Sequence, residues 1–167
     1  LEHERQRLGL DFLRIAGETD PQRHFPVIAS ALGGRWHSTV DILDNTELET
    51  MAAGLAERAE IALMPTRAAV PTNRTKETRG MIIHSAAPFE LPDGTPAALV
   101  GGLLLNHNLD FIDTINALVY REQSLPEGSQ GTATLFLDDV RISTNVRLFE
   151  SVRALGTRVS AEVLARV

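Results

Sequence analysis

The sequence predicts an α+β fold, in which an antiparallel sheet is flanked by helices and preceded by an N-terminal helix. Two neighbouring apolar runs, "GMIIHSAAPFEL" and "AALVGGLLLN", are separated by turn-forming residues, as in a hairpin. Apolar residues recur at helical spacing before and after these runs. The stretch "GTATLFLDDVRISTNV", residues 131–146, alternates in the manner of a second hairpin with one buried face.

The first residues of the chain have an amphipathic pattern, with charged side chains around a single apolar stripe. The stripe comprises Leu1, Leu8, Phe12 and Ile15. This spacing predicts the N-terminal helix. The overlapping segment "LDFLRIAG" is equally consistent with a short strand.

Two further helices are predicted before the first strand. Pro26 suits the first turn of a helix and Gly33-Gly34 suits its end, so a short helix is expected from about residue 25 to residue 32. Thr46 and Glu49 have the spacing of a capping box. Apolar residues then recur at helical intervals: Leu48, Met51, Ala52, Leu55, Ala56 and Ala59.

Three successive runs, "AEIALMPT", "GMIIHSAAPFEL" and "AALVGGLLLN", predict an antiparallel meander. Pro92, Asp93 and Gly94 suit a reversing turn between the last two runs. The nearly continuous apolar character of the third run predicts a central strand that is covered on both faces. Gly101-Gly102 within it indicate a bulge or a close approach of another backbone.

The C-terminal third predicts one helix, a linker and a hairpin. The helix has Asn108 or Asp110 as its cap and an apolar stripe of Phe111, Ile112, Ile115, Leu118 and Val119. The composition of residues 124–131 is that of a linker between modules. If Asp138-Asp139 form a two-residue turn, the expected pairs are Leu137 with Val140, Leu135 with Ile142, and Ala133 with Thr144.

Composition and charge exclude several classes of protein. The net charge is −6 and the basic residues are scattered, which argues against nucleic acid as a partner. The chain has no cysteine, so disulfides, thiolate metal sites and cysteine nucleophiles are excluded. The longest apolar run, residues 97–105, is about half of the roughly 20 residues that a membrane-spanning helix needs. The helix-like segments at both ends suggest an excised part of a longer protein.

The sequence contains no recognisable catalytic motif, and we expect no catalytic residues, no metal site and no cofactor. Its five histidines lack the spacing of a metal site, and its glycines fit no nucleotide-binding loop. Asp138 and Asp139 are adjacent and are better explained as turn residues than as paired acids. A small hydrolase is a further hypothesis, because His84, Ser85 and several aspartates are present.

A ligand site is expected around the polar loop of residues 67–78. Arginine guanidinium groups at the ends of this loop and of the preceding helix are suited to binding a carboxylate. On the strand that follows, His84 lies on the face opposite Met81 and is a hydrogen-bonding candidate. The predicted ligand-binding residues are therefore Arg58, Arg67, Arg79, Met81 and His84.

The phrases "GGLLLN", "GTATLFLDDVRISTNV" and "RALGTRVSAEV", in this order and spacing, resemble the extracytoplasmic double-Cache sensor region of bacterial membrane histidine kinases and chemoreceptors. The resemblance runs from about residue 56 to the C-terminus. It implies PAS-like modules, each with an antiparallel sheet, flanking helices and a small-molecule pocket against the sheet. Residues 1–124 are then one ligand-sensing module, and residues 125–167 either begin a second module or form a hairpin that completes the first sheet.

The function implied by the resemblance is that of a periplasmic sensor domain in an inner-membrane receptor, with a histidine kinase favoured over a chemoreceptor. The expected ligand is a small, anionic metabolite such as a carboxylate. The full-length receptor is expected to be a membrane-anchored homodimer. An alternative from a different class is a receptor dimerisation module that binds no small molecule.

Overall fold

The computed structural model describes residues 1–121, 126, 131–149 and 151–166. The chain divides into two compact units. The first unit comprises residues 1–57 and 79–104, and the second comprises residues 58–78 and 105–167. The predicted linker over residues 124–131 and the predicted module boundary at residues 124–125 lie, apart from residues 126 and 131, outside the described residues.

The helices and strands alternate irregularly along the chain. In order they are α1 (Glu2–Arg7), β1 (Phe12–Ala16), α2 (Pro26–Leu32), β2 (His37–Leu43), α3 (Asn45–Met51), α4 (Leu55–Ala59), β3 (Ile61–Ala62), β4 (Lys76–Glu77), β5 (Gly80–Glu90), β6 (Pro96–Leu104), α5 (Leu109–Val119), β7 (Thr134–Leu137), β8 (Val140–Thr144), β9 (Arg147–Phe149), β10 (Val152–Arg153) and α6 (Ala161–Leu164). The predicted α+β class, with its antiparallel sheet, flanking helices and N-terminal helix, is confirmed.

The first unit is built on a four-stranded antiparallel sheet with the strand order β1-β6-β5-β2. The hairpin of β5 and β6 is confirmed, and Gly94 adopts a positive φ of 82° in its turn. The predicted three-strand meander is wrong, because "AEIALMPT" forms only β3, which pairs with β4 in the second unit. The residues after β3 bond elsewhere in that unit, with the Leu63 N–H donating to the Thr75 carbonyl.

The N-terminal helix is shorter than the apolar stripe suggests. It ends at Arg7, and Gly9 takes a positive φ of 64° that most side chains disfavour. Phe12 and Ile15 therefore lie in β1, where the Phe12 side chain is buried and its Cα faces that of Gly102 on β6. The strand interpretation of "LDFLRIAG" is confirmed from residue 12 onward.

Helix α2 covers one face of the sheet, and it begins at Pro26 as predicted. Helix α3 begins differently. Its capping box joins Asp44 and Glu47, not Thr46 and Glu49. The Asp44 carboxylate accepts from the Glu47 N–H and so already defines the helix start, whereas the Glu49 carboxylate accepts from the N–H of Gly54 beyond the helix. The predicted continuous helical series is thus broken into α3 and α4.

Side chains of the sheet alternate between a covered face and an open face. On β6, Ala98, Val100 and Leu104 are buried on the face toward α2, while Leu99 and Leu103 on the other face are only half-buried. The expectation that this strand is covered on both faces is therefore wrong.

Gly102 provides the predicted close approach. A Cβ at this position would lie 2.5 Å from the Ile83 carbonyl oxygen, 2.7 Å from Phe12 Cζ and 2.8 Å from His84 Cβ. Only a residue without a side chain allows β1, β6 and β5 to pack together here.

In the second unit, α5 begins at Leu109, and of the two predicted caps it is Asn108 whose side chain accepts from the Phe111 N–H. The hairpin of β7 and β8 is also confirmed, with Leu137 opposite Val140. Its register shifts between Leu135 and Phe136, so Leu135 faces Ser143 and not Ile142. The bulge leaves Ile142 without a directly opposite residue on β7, and Thr144 consequently faces Thr134 and not the predicted Ala133.

We predict that Gly102→Ala destabilises the first unit by roughly 1–3 kcal/mol, because the added methyl group overlaps backbone and ring atoms that cannot move independently. Urea unfolding followed by circular dichroism measures the change. The matched control is Gly17→Ala, where a Cβ meets no atom within 4 Å. Equal destabilisation by the two substitutions would show that the close approach has no energetic importance.

A second prediction concerns acid stability and the Asp20 carboxylate. It accepts from Arg14 Nη1 at 2.6 Å and Nη2 at 3.1 Å, and from the Gln22 N–H at 2.9 Å. Burial raises the pKa of Asp20, but these hydrogen bonds and the Arg14 charge outweigh burial and hold its pKa below the ordinary value of 3.8. A lowered pKa stabilises the folded state above the unfolded pKa, and this stabilisation is lost as the pH falls through the folded pKa.

We therefore expect Asp20→Asn to reduce the free energy of unfolding by about 1–2 kcal/mol at pH 7, where charge-assisted hydrogen bonds are lost. The difference from the wild-type protein should narrow as the pH falls below 3.8. Urea titrations at several pH values measure the free energy of unfolding of both proteins. Arg14→Gln should also reduce this free energy at pH 7, and by less at low pH. A difference that is constant from pH 7 to below pH 3 would contradict the assignment.

Candidate functional site

The open face of the first-unit sheet carries a groove of about 410 Å³. The groove runs across the middle of the sheet and takes residues from all four strands and from the segments before β1 and β2. Its lining residues are Leu10, Leu13, Trp36, Ser38, Ile83, His84, Ser85, Ala86, Ala87, Leu99, Gly101, Gly102 and Leu103.

Strand alternation explains why these residues meet. Ile83, Ser85 and Ala87 alternate along β5, and the register places Ser85 opposite both Gly101 on β6 and Ser38 on β2. Side chains that are directly opposite in an antiparallel pair lie on the same face. His84 and Ala86 are buried on the covered face, so they border the groove with main-chain atoms.

The floor of the groove is mostly apolar, with one polar pair. Ser38 Oγ and Ser85 Oγ lie 2.5 Å apart and share a hydrogen bond. Gly101 leaves room in the floor, because a Cβ there would come within 3.0 Å of Leu10 Cδ1 and 3.1 Å of Leu13 Cδ1. A concave apolar surface with a few polar groups is the usual form of a small-molecule site.

Trp36 is the most exposed large apolar side chain of the groove, with 75% of its surface accessible. It precedes β2 and is the only tryptophan of the chain. An aromatic ring beside an apolar floor provides a large contact surface for a flat or extended ligand.

His84 lies on the opposite side of the sheet from this groove. Its ring is fully buried, its Nε2 is 2.7 Å from Asp41 Oδ2, and its ring centroid is 6.4 Å from that of Phe25. Its Nδ1 is buried and has no hydrogen-bond partner among the described residues. The imidazole thus connects β5 to the neighbouring strand β2, beneath the start of α2.

The predicted ligand-binding residues are distributed between the two units. Arg58, in α4, and Arg67, an exposed residue after β3, belong to the second unit. Arg79, Met81 and His84 belong to the first, and Met81 and His84 lie on opposite faces of β5. Of the five, only His84 borders the groove. Sequence reasoning did not identify Trp36, Ser38 or Ser85 as ligand-binding residues, although Ser85 entered the hydrolase hypothesis and the alternation of β5 already placed it on the same face as Met81.

The polar loop of residues 67–78 contributes to a cluster of charges in the second unit. The Asp139 carboxylate accepts from Arg74 Nη2 at 3.0 Å and from Arg158 Nε at 2.6 Å. Arg74 also donates to Glu77 at 3.2 Å, and Arg158 to the Val70 carbonyl at 2.7 Å. The side chains of Asp139 and Arg158 are at most one-tenth exposed. The cluster attaches the loop to the β7–β8 turn.

Asp139 is therefore both a turn residue, as predicted, and the anion of a buried ion-pair network. The sequence did not reveal the second role, because its partners lie 65 and 19 residues away. Both of its carboxylate oxygens are engaged by guanidinium groups, which makes the cluster a structural feature and not an open ligand site.

In the part of the chain that the structure describes, no group of three or more histidine and acidic side chains is arranged to hold a metal ion. Within the same ranges, no helix combines the length and the apolar character that crossing a bilayer requires.

Comparison with known proteins gives a match to a protein family. Residues 103–167 match the family model described as single Cache domain 3. No curated protein and no solved structure matches the chain. The matched region begins at the end of β6 and continues through the C-terminal segment of the second unit. It supports a Cache sensor domain, and the fold is consistent with the PAS-like α+β class that the sequence predicts. Cache domains are extracellular sensor domains of signalling receptors.

We predict that Arg158→Met destabilises the protein by about 3 kcal/mol, the lower end of the range for breaking a buried ion pair, because Arg74 still neutralises Asp139. Urea unfolding measures the change. Arg166→Met is the matched control, since the Arg166–Glu162 pair is exposed and is worth less than about 1 kcal/mol. If Arg158→Met reduces the free energy of unfolding no more than the control does, the ion pairs of Asp139 do not stabilise the second unit.

Proposed function

We propose that this chain is the ligand-sensing region of an extracytoplasmic receptor domain, anchored in the bacterial inner membrane through the rest of the protein. The observation that carries the proposal is the match of residues 103–167 to single Cache domain 3. This family is made up of non-catalytic sensor domains, which disfavours the hydrolase hypothesis for the same region.

The more specific context extends the sequence resemblance. We propose a double-Cache arrangement in a periplasmic domain of a histidine kinase, with a chemoreceptor as the related alternative. The chain divides into two compact units, but their boundaries do not coincide with the predicted module boundary at residues 124–125, so this context rests on the sequence resemblance. The flanking sequence of the parent protein, with its membrane spans and output domain, tests this context directly.

The open-face groove is the proposed ligand site. Its lining contains no charged side chain apart from the imidazole of His84, which points to the other face. The fitting ligand is therefore a small molecule with an apolar body and one group that hydrogen bonds to Ser38 and Ser85. A carboxylate bound through Arg58, Arg67 and Arg79 remains a separate prediction, because none of these arginines lines the groove.

A receptor dimerisation module is the second candidate function. Its support is the exposed apolar surface of β2 and of the residue before it, which includes Trp36, Val40 and Ile42. The two functions are compatible, since a sensor transmits a signal only if its ligand binds one arrangement of the receptor more tightly than another.

Trp36 provides a direct test of ligand binding in the groove. We expect a ligand from a panel of small aromatic and aliphatic alcohols, amino acids and carboxylates to change the fluorescence of this single tryptophan in a saturable manner. Ala87→Phe, which fills the floor of the groove, should raise the Kd at least about tenfold, or by roughly 1.4 kcal/mol.

The matched control is Ala53→Phe, an equally large substitution at an exposed position outside the groove, which should leave the Kd unchanged. Arg79→Ala separates the two ligand sites. If a carboxylate binds and only Arg79→Ala weakens it, the ligand lies at the arginines and the groove assignment is wrong. If no compound changes the fluorescence or the melting temperature, the groove is not the ligand site of a sensor for these compounds.

A further inference from the structure

We propose that the outer edge of β2 pairs with β2 of a second copy of this chain, antiparallel, across a two-fold axis at Thr39. This interface would join two four-stranded sheets into one of eight strands. The proposal concerns the free edge of the sheet and does not depend on a ligand in the groove.

The geometry of β2 is that of a strand able to accept a partner. It is the last strand of its sheet, and no strand pairs with its outer edge among the described residues. Its seven residues pair with β5 in an unbroken register, without a bulge, and contain neither lysine nor proline. Natural edge strands commonly carry such devices to prevent pairing with another chain, and the one that β2 has is the inward-facing Asp41, whose carboxylate is bonded to His84.

The exposed side chains along this edge are also apolar. Trp36 is 75% exposed, Val40 53% and Ile42 48%. The register with β5 places Val40 beside Ile83 and Ile42 beside Met81, so these side chains lie on the open face of the sheet. Three large apolar groups in seven consecutive positions constitute a surface that a partner could cover.

A symmetric pair of β2 strands has few allowed registers, because only residues on the same face can be opposite each other. With the axis at Thr39, Trp36 faces Ile42 of the second copy, and Ser38 faces Val40 of the second copy. His37 then faces Asp41 of the second copy, so an imidazole N–H meets a carboxylate. Asp41 uses one oxygen for His84, and a carboxylate has further acceptor positions.

The neighbouring registers are less complementary. An axis at Val40 places Ser38 opposite Ile42 and Trp36 opposite Asp44. An axis at Asp41 places two carboxylates opposite each other, which is destabilising. An axis at Ser38 leaves Ile42 opposite Gly34. The axis at Thr39 alone pairs the two largest apolar side chains with each other and the one acidic residue with the one basic residue.

Because the chain has no cysteine, a single introduced cysteine reports this register without interference. Opposite residues in an antiparallel pair have Cα atoms about 4.5–5.5 Å apart, within the distance that a disulfide spans. In the full 167-residue chain, we expect Thr39→Cys to form a covalent dimer under mild oxidation at least about tenfold faster than Val40→Cys.

The controls separate the register from random collision and from misfolding. Glu57→Cys, at an exposed position on α4, gives the collision rate. A mixture of Ser38→Cys and Val40→Cys chains should form heterodimers faster than either chain forms homodimers, which provides a second measurement if Thr39→Cys folds poorly. Ile42→Lys in the Thr39→Cys background should slow cross-linking, because it places an ammonium group against Trp36 of the second copy.

Three outcomes would overturn the proposal. Pairing through this edge is excluded if Thr39→Cys cross-links no faster than Glu57→Cys and if the mixture of Ser38→Cys and Val40→Cys chains shows no preference for heterodimers. Faster homodimer formation by Val40→Cys indicates the axis at Val40 and rejects the register. Cross-linking that Ile42→Lys leaves unchanged, with the fold intact by circular dichroism, shows that the edge is not the interface. All of these measurements are made without ligand. Their interpretation therefore does not change if the groove proves not to be the ligand site.

Discussion

The antiparallel pairing of β5 with β6 is the constraint on which the first unit depends. It places Ile82, His84 and Ala86 beneath α2 and leaves Ile83, Ser85 and Ala87 on the groove side. A slip of one residue would exchange the two sets, so that Ser85 would be buried while Ile82 and His84 would be exposed. Gly102 favours this register, since a Cβ at that position would overlap the Ile83 carbonyl oxygen and the ring of Phe12.

The second unit combines buried apolar side chains, among them Leu137, Val140 and Ile142, with a buried network of charges. Its described strands form only two-stranded sheets, which by themselves are marginally stable. The ion pairs of Asp139 with Arg74 and Arg158 join the long loop after β3 to the β7–β8 turn and to the segment before α6. Removal of one partner from such a network is destabilising because it leaves a buried charge uncompensated.

Local features of the fold were predictable from sequence, whereas long-range ones were not. The turn at Gly94, the start of α2 at Pro26 and the cap at Asn108 follow from residues within a few positions of each other. The pairing of β1 with β6 joins segments far apart in the chain, and its signal, Gly102 opposite Phe12, is visible only once both strands are placed. The groove was missed for the same reason: its serines come from β2 and β5, and nothing in the local pattern of either strand indicates that they meet. The shifted register of β7 and β8 shows that an alternating pattern predicts a hairpin more reliably than it predicts the pairs within it.

Ser38 has two structural roles. Its hydroxyl group contacts Ser85 in the floor of the groove, and its backbone belongs to the strand at the edge of the sheet. A molecule that binds this hydroxyl therefore touches the same strand that a second chain would join. Thermodynamic linkage then requires that if occupancy of the groove changes the strength of strand pairing by some factor, pairing changes the affinity of the groove by the same factor. If two chains pair through this strand, the protein concentration in a binding assay becomes an experimental variable, because affinities measured below and above the dissociation constant of the pair report on different species.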